Sequence, residues 1–430
     1  MNKTVLYLVL VVNFIVTGFF WWAGSSELFG LGGEGALKAF GRLFGLIGQL
    51  LILLELALVS RVPFIEKAIS LDRRVQLHRF VGYGILSAFL MHPLLLSFGY
   101  DGGAGATNQF VSFILNWEDI FNALVALVIF IFVIIISIPV VRRKLRYDTW
   151  YFMHLLMYVA LFLSFGHQTK SGDLVAGPAL YYWLGLNFAV IGLFLAYRLL
   201  HPIYLYYQHR FVVDEVVAEG PNICSVYIKG QNLASFKYEA GQFASLIFLA
   251  RGLWYHHPFS FSLPPGGDRL RFTMKALGDF TVQADKLKPG TKVLIDGPFG
   301  HFTTIFGYNT KYLLVAGGIG ITPIRSLLEK LRKQNKDVKF IYGAKTEAEL
   351  ALKSEIDQLG ASGEYVLSQE KKTGFGEGII DLPKIKNLAP DFLERDIYIC
   401  GPHLMTKNLR QSLALAGVPK NQIHFEEFSF

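Results

Sequence analysis

The sequence predicts a membrane α-helical bundle of six spans fused to a two-part module: an antiparallel β-barrel, then an α/β domain with a parallel sheet. Three observations carry this. Residues 1–205 are mostly long apolar runs, whereas 210–430 carry charges at regular intervals. After Phe211 the apolar pattern shortens to alternating runs of strand length. From Lys311 strand and helix patterns alternate, the order that builds a parallel sheet. The expected domains are 1–205, 206–306 and 307–430.

The six expected spans are 4–22, 36–59, 76–98, 119–140, 150–168 and 180–200, each long enough for a hydrocarbon core of about 30 Å. The segment 60–75 holds Arg61, Lys67, Arg73 and Arg74, and 141–149 holds Arg142, Arg143, Lys144 and Arg146. The opposite loops hold only Lys38, Arg42 and Lys170. The positive-inside rule then puts both termini in the cytoplasm of a multi-pass plasma-membrane protein. Because many of the basic residues lie in these loops, the net charge of +8 is read as topology, and no nucleic-acid partner is expected. Two cysteines, Cys224 and Cys400, are too few for a disulfide framework. Lys3 ahead of an apolar run resembles a leader, but the Phe19-Phe20-Trp21-Trp22 belt reads as a retained first helix.

Spans three and five each carry two histidines: His78 and His92, fourteen residues apart, and His154 and His167, thirteen apart. Each spacing covers roughly 20 Å of helix. The topology makes these spans parallel, so His78 is level with His154 and His92 with His167. Ionisable residues inside spans are scarce and usually functional. Two facing imidazoles suit the axial positions of a haem iron, so two stacked haem b groups are expected. Fourteen residues return to within about 40° of one helix face, but thirteen leave about 140°, so a bend is expected in span five, with Gly166 its candidate. Glu55 in span two reads equally as a helix-facing carboxylate or a proton relay. Arg42 reads as an interfacial anchor or as a charge for haem propionates or an anionic product, and Arg73, Arg74 and Arg79 read similarly at the other end.

Proline at 202 is expected to end the last span at His201. Beyond it, Ile223–Ile228 and Phe243–Phe248 read as strands. On such a strand His257-Pro258-Phe259-Ser260-Phe261-Ser262 offers an aromatic to stack on a flat ring, a hydroxyl for its edge and a cation for a phosphate. Gly278, between Lys275 and Thr281 and ahead of Gly297-Pro298-Phe299-Gly300, lets backbone N–H groups approach a pyrophosphate. Gly317-Gly318-Ile319-Gly320-Ile321-Thr322-Pro323 follows a strand and opens a helix, which suits a dinucleotide phosphate. A later strand, Asp396–Cys400, ends at Gly401-Pro402. Cys400 reads as a packing or nicotinamide-facing residue, or as a nucleophile without an evident base.

Taken together, the histidine pairs and the ordered HPFSFS, GPFG, GGIGITP and CGP motifs resemble the NADPH oxidase and ferric reductase superfamily over nearly the whole chain. The closest likeness is to compact bacterial members, with a ferric-reductase-like helical domain and a ferredoxin-reductase-like module. The resemblance implies an FAD site at His257, Phe259 and Ser260, with Pro258 and Ser262 in the same motif, and a second FAD segment at Lys275, Gly278 and Thr281. It implies NADPH or NADH binding at Gly317, Gly318, Gly320, Thr322 and Pro323 and at Cys400, Gly401 and Pro402. Lys345 in Tyr342-Gly343-Ala344-Lys345 stands where the family often has arginine, so it meets a 2′-phosphate as a point charge. Glu426-Glu427-Phe428 resembles the family's terminal aromatic that shields the flavin, with Phe430 as the alternative. The implied activity is electron transfer from NAD(P)H through FAD and two haems to an extracytoplasmic acceptor, O2 giving superoxide, or a ferric or cupric chelate. A haem redox subunit serving another protein is a further reading, but no obligatory protein partner is expected.

Overall fold

The computed structural model describes residues 3–427 and falls into two compact units, Met1–Leu199 and Leu200–Phe430. In the first unit the helices are α1 (Lys3–Ser25), α2 (Gly32–Val59), α3 (Pro63–Ala68), α4 (Leu71–Gly99), α5 (Ala106–Asn116), α6 (Ile120–Ser137), α7 (Pro139–Arg142), α8 (Tyr147–His154), α9 (Leu156–Gln168) and α10 (Gly177–Phe194). Among the described residues five stretches are long and apolar enough to cross a membrane: Thr4–Val59, Arg73–Gly99, Ile120–Ser137, Tyr147–Gln168 and Gly177–His209. This is one fewer than the six expected. The first stretch, 56 residues long, contains both α1 and α2, separated by a 3₁₀ turn at Ser26–Leu31.

Two local expectations are corrected. The fifth-span irregularity lies at Leu155, between α8 and α9, where Tyr158 N–H donates to Leu155 O three residues back. Gly166 sits inside α9 and serves close packing: a Cβ there would lie 2.6 Å from Asp119 Oδ2. Pro202 does not stop the helix. A π-turn at Leu195–Leu200 follows α10, and Pro202 then occupies the first turn of α11 (His201–His209). A proline lacks only an N–H that the first turn leaves unpaired anyway. Helix α5 is amphipathic and was not anticipated.

Helix α4 packs chiefly on α2, and α9 on α6. Close approach of α2 to α4 rests on Gly41, Gly45 and Gly48, whose added Cβ atoms would overlap Leu96, His92 and Phe89. An apolar layer of Ile52, Val81, Ile85, Ala126, Phe130 and Ala160 joins α2, α4, α6 and α9. Phe165 meets Phe188 and Tyr158 meets Phe194, so α10 runs antiparallel to α9 and ends level with α9's beginning.

The second unit has twelve strands among the described residues: β1 (Val212–Gly220), β2 (Ile223–Lys229), β3 (Phe243–Phe248), β4 (His257–Ser260), β5 (Leu270–Lys275), β6 (Val293–Phe299), β7 (Lys311–Gly317), β8 (Asp337–Ala344), β9 (Ser362–Leu367), β10 (Gly376–Glu377), β11 (Asp396–Gly401) and β12 (Ile423–Glu427). Strands β1-β2-β5 and β4-β3-β6 form two antiparallel sheets around one core, with bridges at Val212↔Lys292 and Phe261↔Phe272. The other six form a parallel sheet in the order β10-β9-β8-β7-β11-β12. Alternation along β7 explains its two covered faces. Tyr312, Leu314 and Ala316 pack with Ile324, Leu327 and Leu328 of α12 (Ile321–Lys333), and Leu313 and Val315 pack on the opposite side with Ile385, Leu409 and Leu413.

Candidate functional site

The four histidines meet in two pairs. The His78 and His154 ring centroids are 6.0 Å apart, and those of His92 and His167 are 6.3 Å apart. A metal–imidazole bond of about 2 Å, plus about 1.1 Å from nitrogen to ring centre, places two axial imidazoles about 6.3 Å apart across one metal ion. All four rings are half-buried. Three have Nδ1 engaged: His78 with Glu55 Oε2, His92 with Gly41 O at 2.8 Å, and His154 with Ser137 Oγ at 3.2 Å. Ser137 sends its own proton to Val133 O at 2.7 Å, so its oxygen accepts from His154. With Nδ1 as donor, Nε2 carries the lone pair that binds metal, a second-sphere arrangement common at metal-bound histidines. The spacing and these hydrogen bonds fit a haem at each pair.

The second pair borders a cavity of about 450 Å³, lined also by Arg42, Gln49, Phe89, Lys170 and Trp183. Gln49 Nε2 donates to Asn187 Oδ1 at 2.7 Å, Gln168 Nε2 to Gln49 Oε1 at 3.3 Å, and Trp183 Nε1 to Gln168 Oε1 at 3.2 Å. Arg42 donates to Asp173 at 2.7 Å and to the Tyr100 hydroxyl at 2.9 Å. Arg74 is buried in an ion pair with Glu66 and a bond to Leu58 O, which ties the start of α4 to α2 and α3.

In the second unit His257 and Phe259 pack around Phe280, with centroids 4.0 and 5.8 Å from it. Pro258 lies between them on β4. Ser260 Oγ is buried with no hydrogen-bond partner among the described residues, as expected of a hydroxyl awaiting the edge of a bound ring. Ser262 is fully buried, and its Oγ accepts from Arg271 Nε at 3.0 Å. It therefore holds Arg271, which pairs with Glu355 at 2.6 Å. Burial pushes the Glu355 carboxyl up, but hydrogen bonds from Arg271 and the Arg325 charge hold it below the usual range. Thr281 Oγ1 accepts from Leu277 N–H at 2.9 Å and Gly278 N–H at 3.1 Å, and Lys275 donates to Glu349 at 2.7 Å. The orphaned Ser260 hydroxyl beside an aromatic platform fits a flavin. Phe280 was not singled out from sequence, although it lies between Gly278 and Thr281.

The glycine loop and the CGP segment converge. Strands β7 and β11 are neighbours at the point where the strand order reverses, with Ala316 opposite Cys400. A Cβ on Gly320 would lie 2.3 Å from Cys400 O, and one on Gly317 2.7 Å from Met405 Sδ and 2.9 Å from Pro402. A Cβ on Gly401 would lie 3.0 Å from the Gly317 main chain. Gly318 takes φ +54, and the loop runs into α12 with Thr322 and Pro323 in its first turn. The carboxyl ends of strands at such a reversal are where α/β sheets bind nucleotides, with phosphate on the helix N-terminus. Cys400 is fully buried, and burial pushes its thiol well above the usual range, which suits packing and not a thiolate. Lys345 is exposed just beyond β8. Phe428 and Phe430 lie outside the described residues.

This is the site arrangement of a flavin- and nicotinamide-dependent oxidoreductase joined to a histidine-bearing helical bundle. Residues 44–165 match the ferric reductase like transmembrane component, 208–303 an FAD-binding domain, and 314–411 an oxidoreductase NAD-binding domain. The chain thus has the architecture of the NADPH oxidase and ferric reductase superfamily. Among similar proteins, the stachydrine N-demethylase reductase subunit Stc4 of Rhizobium meliloti is 27% identical over 226 residues, 49% of this chain and 64% of that protein. The NADPH oxidoreductase of Mycobacterium tuberculosis is 28% identical over 242 residues, 54% of this chain and 63% of that protein. Each match spans less than two thirds of the relative's own length. The flavohem-like FAD/NAD-binding domain of nitric oxide dioxygenase from Vibrio cholerae covers 51% of this chain and 97% of its own, at 25% identity and a TM-score of 0.47.

Proposed function

We propose that this chain carries electrons across the plasma membrane, from cytoplasmic NAD(P)H to dioxygen outside, giving superoxide. The observation that carries the reading is the two imidazole pairs at 6.0 and 6.3 Å, one above the other on α4 and α8–α9. FAD and two haem b groups, when bound, supply the conversion of a two-electron hydride into single-electron transfers. His78 and His154 hold the cytoplasmic haem and His92 and His167 the outer one. A haem held by His92 and His167 would be open to an acceptor through the adjoining cavity, which Arg42 and Lys170 border. His257, Phe259 and Ser260 seat the flavin. The Gly317–Pro323 loop and the α12 N-terminus receive the dinucleotide phosphates, and Lys345 favours a 2′-phosphate, hence NADPH over NADH. The basic segments support six crossings with both termini cytoplasmic, α1 and α2 counting separately. The proposed domains, 1–205, 206–306 and 307–430, each contain one of the matched segments 44–165, 208–303 and 314–411.

The test is spectroscopic. Purified protein is mixed anaerobically with FAD and NADPH, and the haem Soret and α bands are followed. Oxygen is then admitted with a dye whose reduction is blocked by superoxide dismutase. Rapid haem reduction followed by dismutase-sensitive dye reduction is expected. Slow reoxidation by oxygen but fast reoxidation by a ferric chelate replaces the oxidase reading with a metalloreductase, and absence of low-spin haem overturns both.

A further inference from the structure

The two histidine pairs differ in what holds their outer nitrogens. At the first pair the acceptors are the Glu55 carboxylate, on His78, and the Ser137 hydroxyl, on His154. At the second pair His92 donates to a neutral main-chain carbonyl, Gly41 O, and His167 Nδ1 has no partner among the described residues. Glu55 is itself largely enclosed, with 12% of its side chain exposed, and its second oxygen, Oε1, is buried with no hydrogen-bond partner among the described residues. A carboxylate in a low-dielectric setting is costly unless positive charge lies close by. His78 is the group it touches, and the positive charge would be that of the oxidised iron behind the ring.

We propose that Glu55 is a positioning residue that acts through His78 to give the first haem the lower reduction potential of the two. This rests on the reading of the four histidines as haem ligands. A carboxylate on Nδ1–H fixes Nε2 as the metal-facing nitrogen and makes it a stronger donor. Stronger donation and a nearby negative charge both favour the ferric over the ferrous state, and second-sphere hydrogen bonding and net charge are established levers on such potentials. The second pair has one neutral acceptor, and the carboxylate near His167, Asp119, is paired with Lys170 at 2.8 Å, which offsets its charge. The step from first pair to second is therefore downhill for an electron, and the direction of transfer is built into α2.

The experiment is an equilibrium redox titration of the full chain in detergent, followed at the haem α band, for the wild type, Glu55→Gln and His78→Leu. Glu55→Gln keeps the size and an acceptor oxygen but removes the charge. It is expected to retain two haems and to increase the ferrous-to-ferric ratio of the lower-potential haem by about tenfold at fixed ambient potential, about 59 mV for a one-electron couple. The other haem should not move. Two retained haems with both potentials unchanged, or a shift confined to the higher-potential haem, overturns the proposal. If Glu55→Gln loses a haem, His78→Leu decides: the haem it removes must be the lower-potential one in the wild type, and loss of the higher-potential one overturns the proposal. A wild type that binds no haem defeats the ligand reading itself, whereas two haems indifferent to Glu55→Gln defeat only this inference.

Discussion

At the scale of single residues, the second histidine pair depends on a glycine. A Cβ on Gly45 would lie 2.7 Å from His92 Nδ1 and 2.8 Å from Cε1, where the ring already donates to Gly41 O. On the proposed haem reading, Gly45→Val should turn His92 away and reduce haem from two per chain to one, read by haem extraction, at a packing cost of about 1–3 kcal/mol. His92→Leu should remove the same haem with the helix packing kept; retention of both haems would refute the ligand assignment. Lys345→Ala should raise KM for NADPH about tenfold relative to NADH, about 1.4 kcal/mol, and equal changes for both would assign coenzyme preference elsewhere. The histidines were legible because an ionisable residue within an apolar run stands out. Their supports were not: Glu55 lies 23 residues from His78 on another helix, and Gly41 acts through its main-chain carbonyl, which composition does not reveal.

At the scale of elements, periodicity placed β2, β3, β7, α12 and β11 close to where they lie, because each has one or two faces against a core. It failed where helices change geometry without a change of composition. The break at Leu155 follows His154 and has no glycine or proline to announce it, and the π-turn at Leu195–Leu200 carries the chain past Pro202. The GGIGITP and CGP motifs were readable separately, but their meeting depends on the strand order that makes β7 and β11 neighbours. Gly320→Ala tests that junction. Its new Cβ would press on main chain at Cys400, so about 1–3 kcal/mol of stability should be lost together with nicotinamide affinity. Normal affinity and melting temperature would show that the loop can yield.

At the scale of the whole molecule, strong acid should loosen the ion-pair cluster that ties the beginnings of β7, β8 and β11. Arg395, just before β11, donates to Asp391 at 2.8 Å, to Asp337 at 3.0 Å and to Tyr312 O at 3.2 Å. The Arg395 guanidinium holds the Asp391 carboxyl down, from 3.8 to about 2. A carboxyl depressed by folding stabilises the fold above its ordinary value and loses that contribution as pH falls from about 4 toward 2. The melting temperature of the parallel-sheet region should therefore drop across that window, and Arg395→Met should flatten the dependence while lowering stability at neutral pH.

Between the two histidine pairs lies the layer of Ile85, Phe89, Phe130, Ala126 and Ala160, with Phe89 and Phe130 at 5.1 Å and no charged member. Such an apolar layer opposes the passage of protons and ions. On the proposed function, every turnover is then an uncompensated current. Each electron leaving carries one negative charge outward, and a membrane potential of 100 mV is worth about 2.3 kcal/mol per charge. An inside-negative membrane drives the reaction, which depolarises it, so sustained activity requires a separate conductance that returns charge balance. Protonophores and potassium ionophores should therefore alter the rate in sealed vesicles and leave it unchanged in detergent.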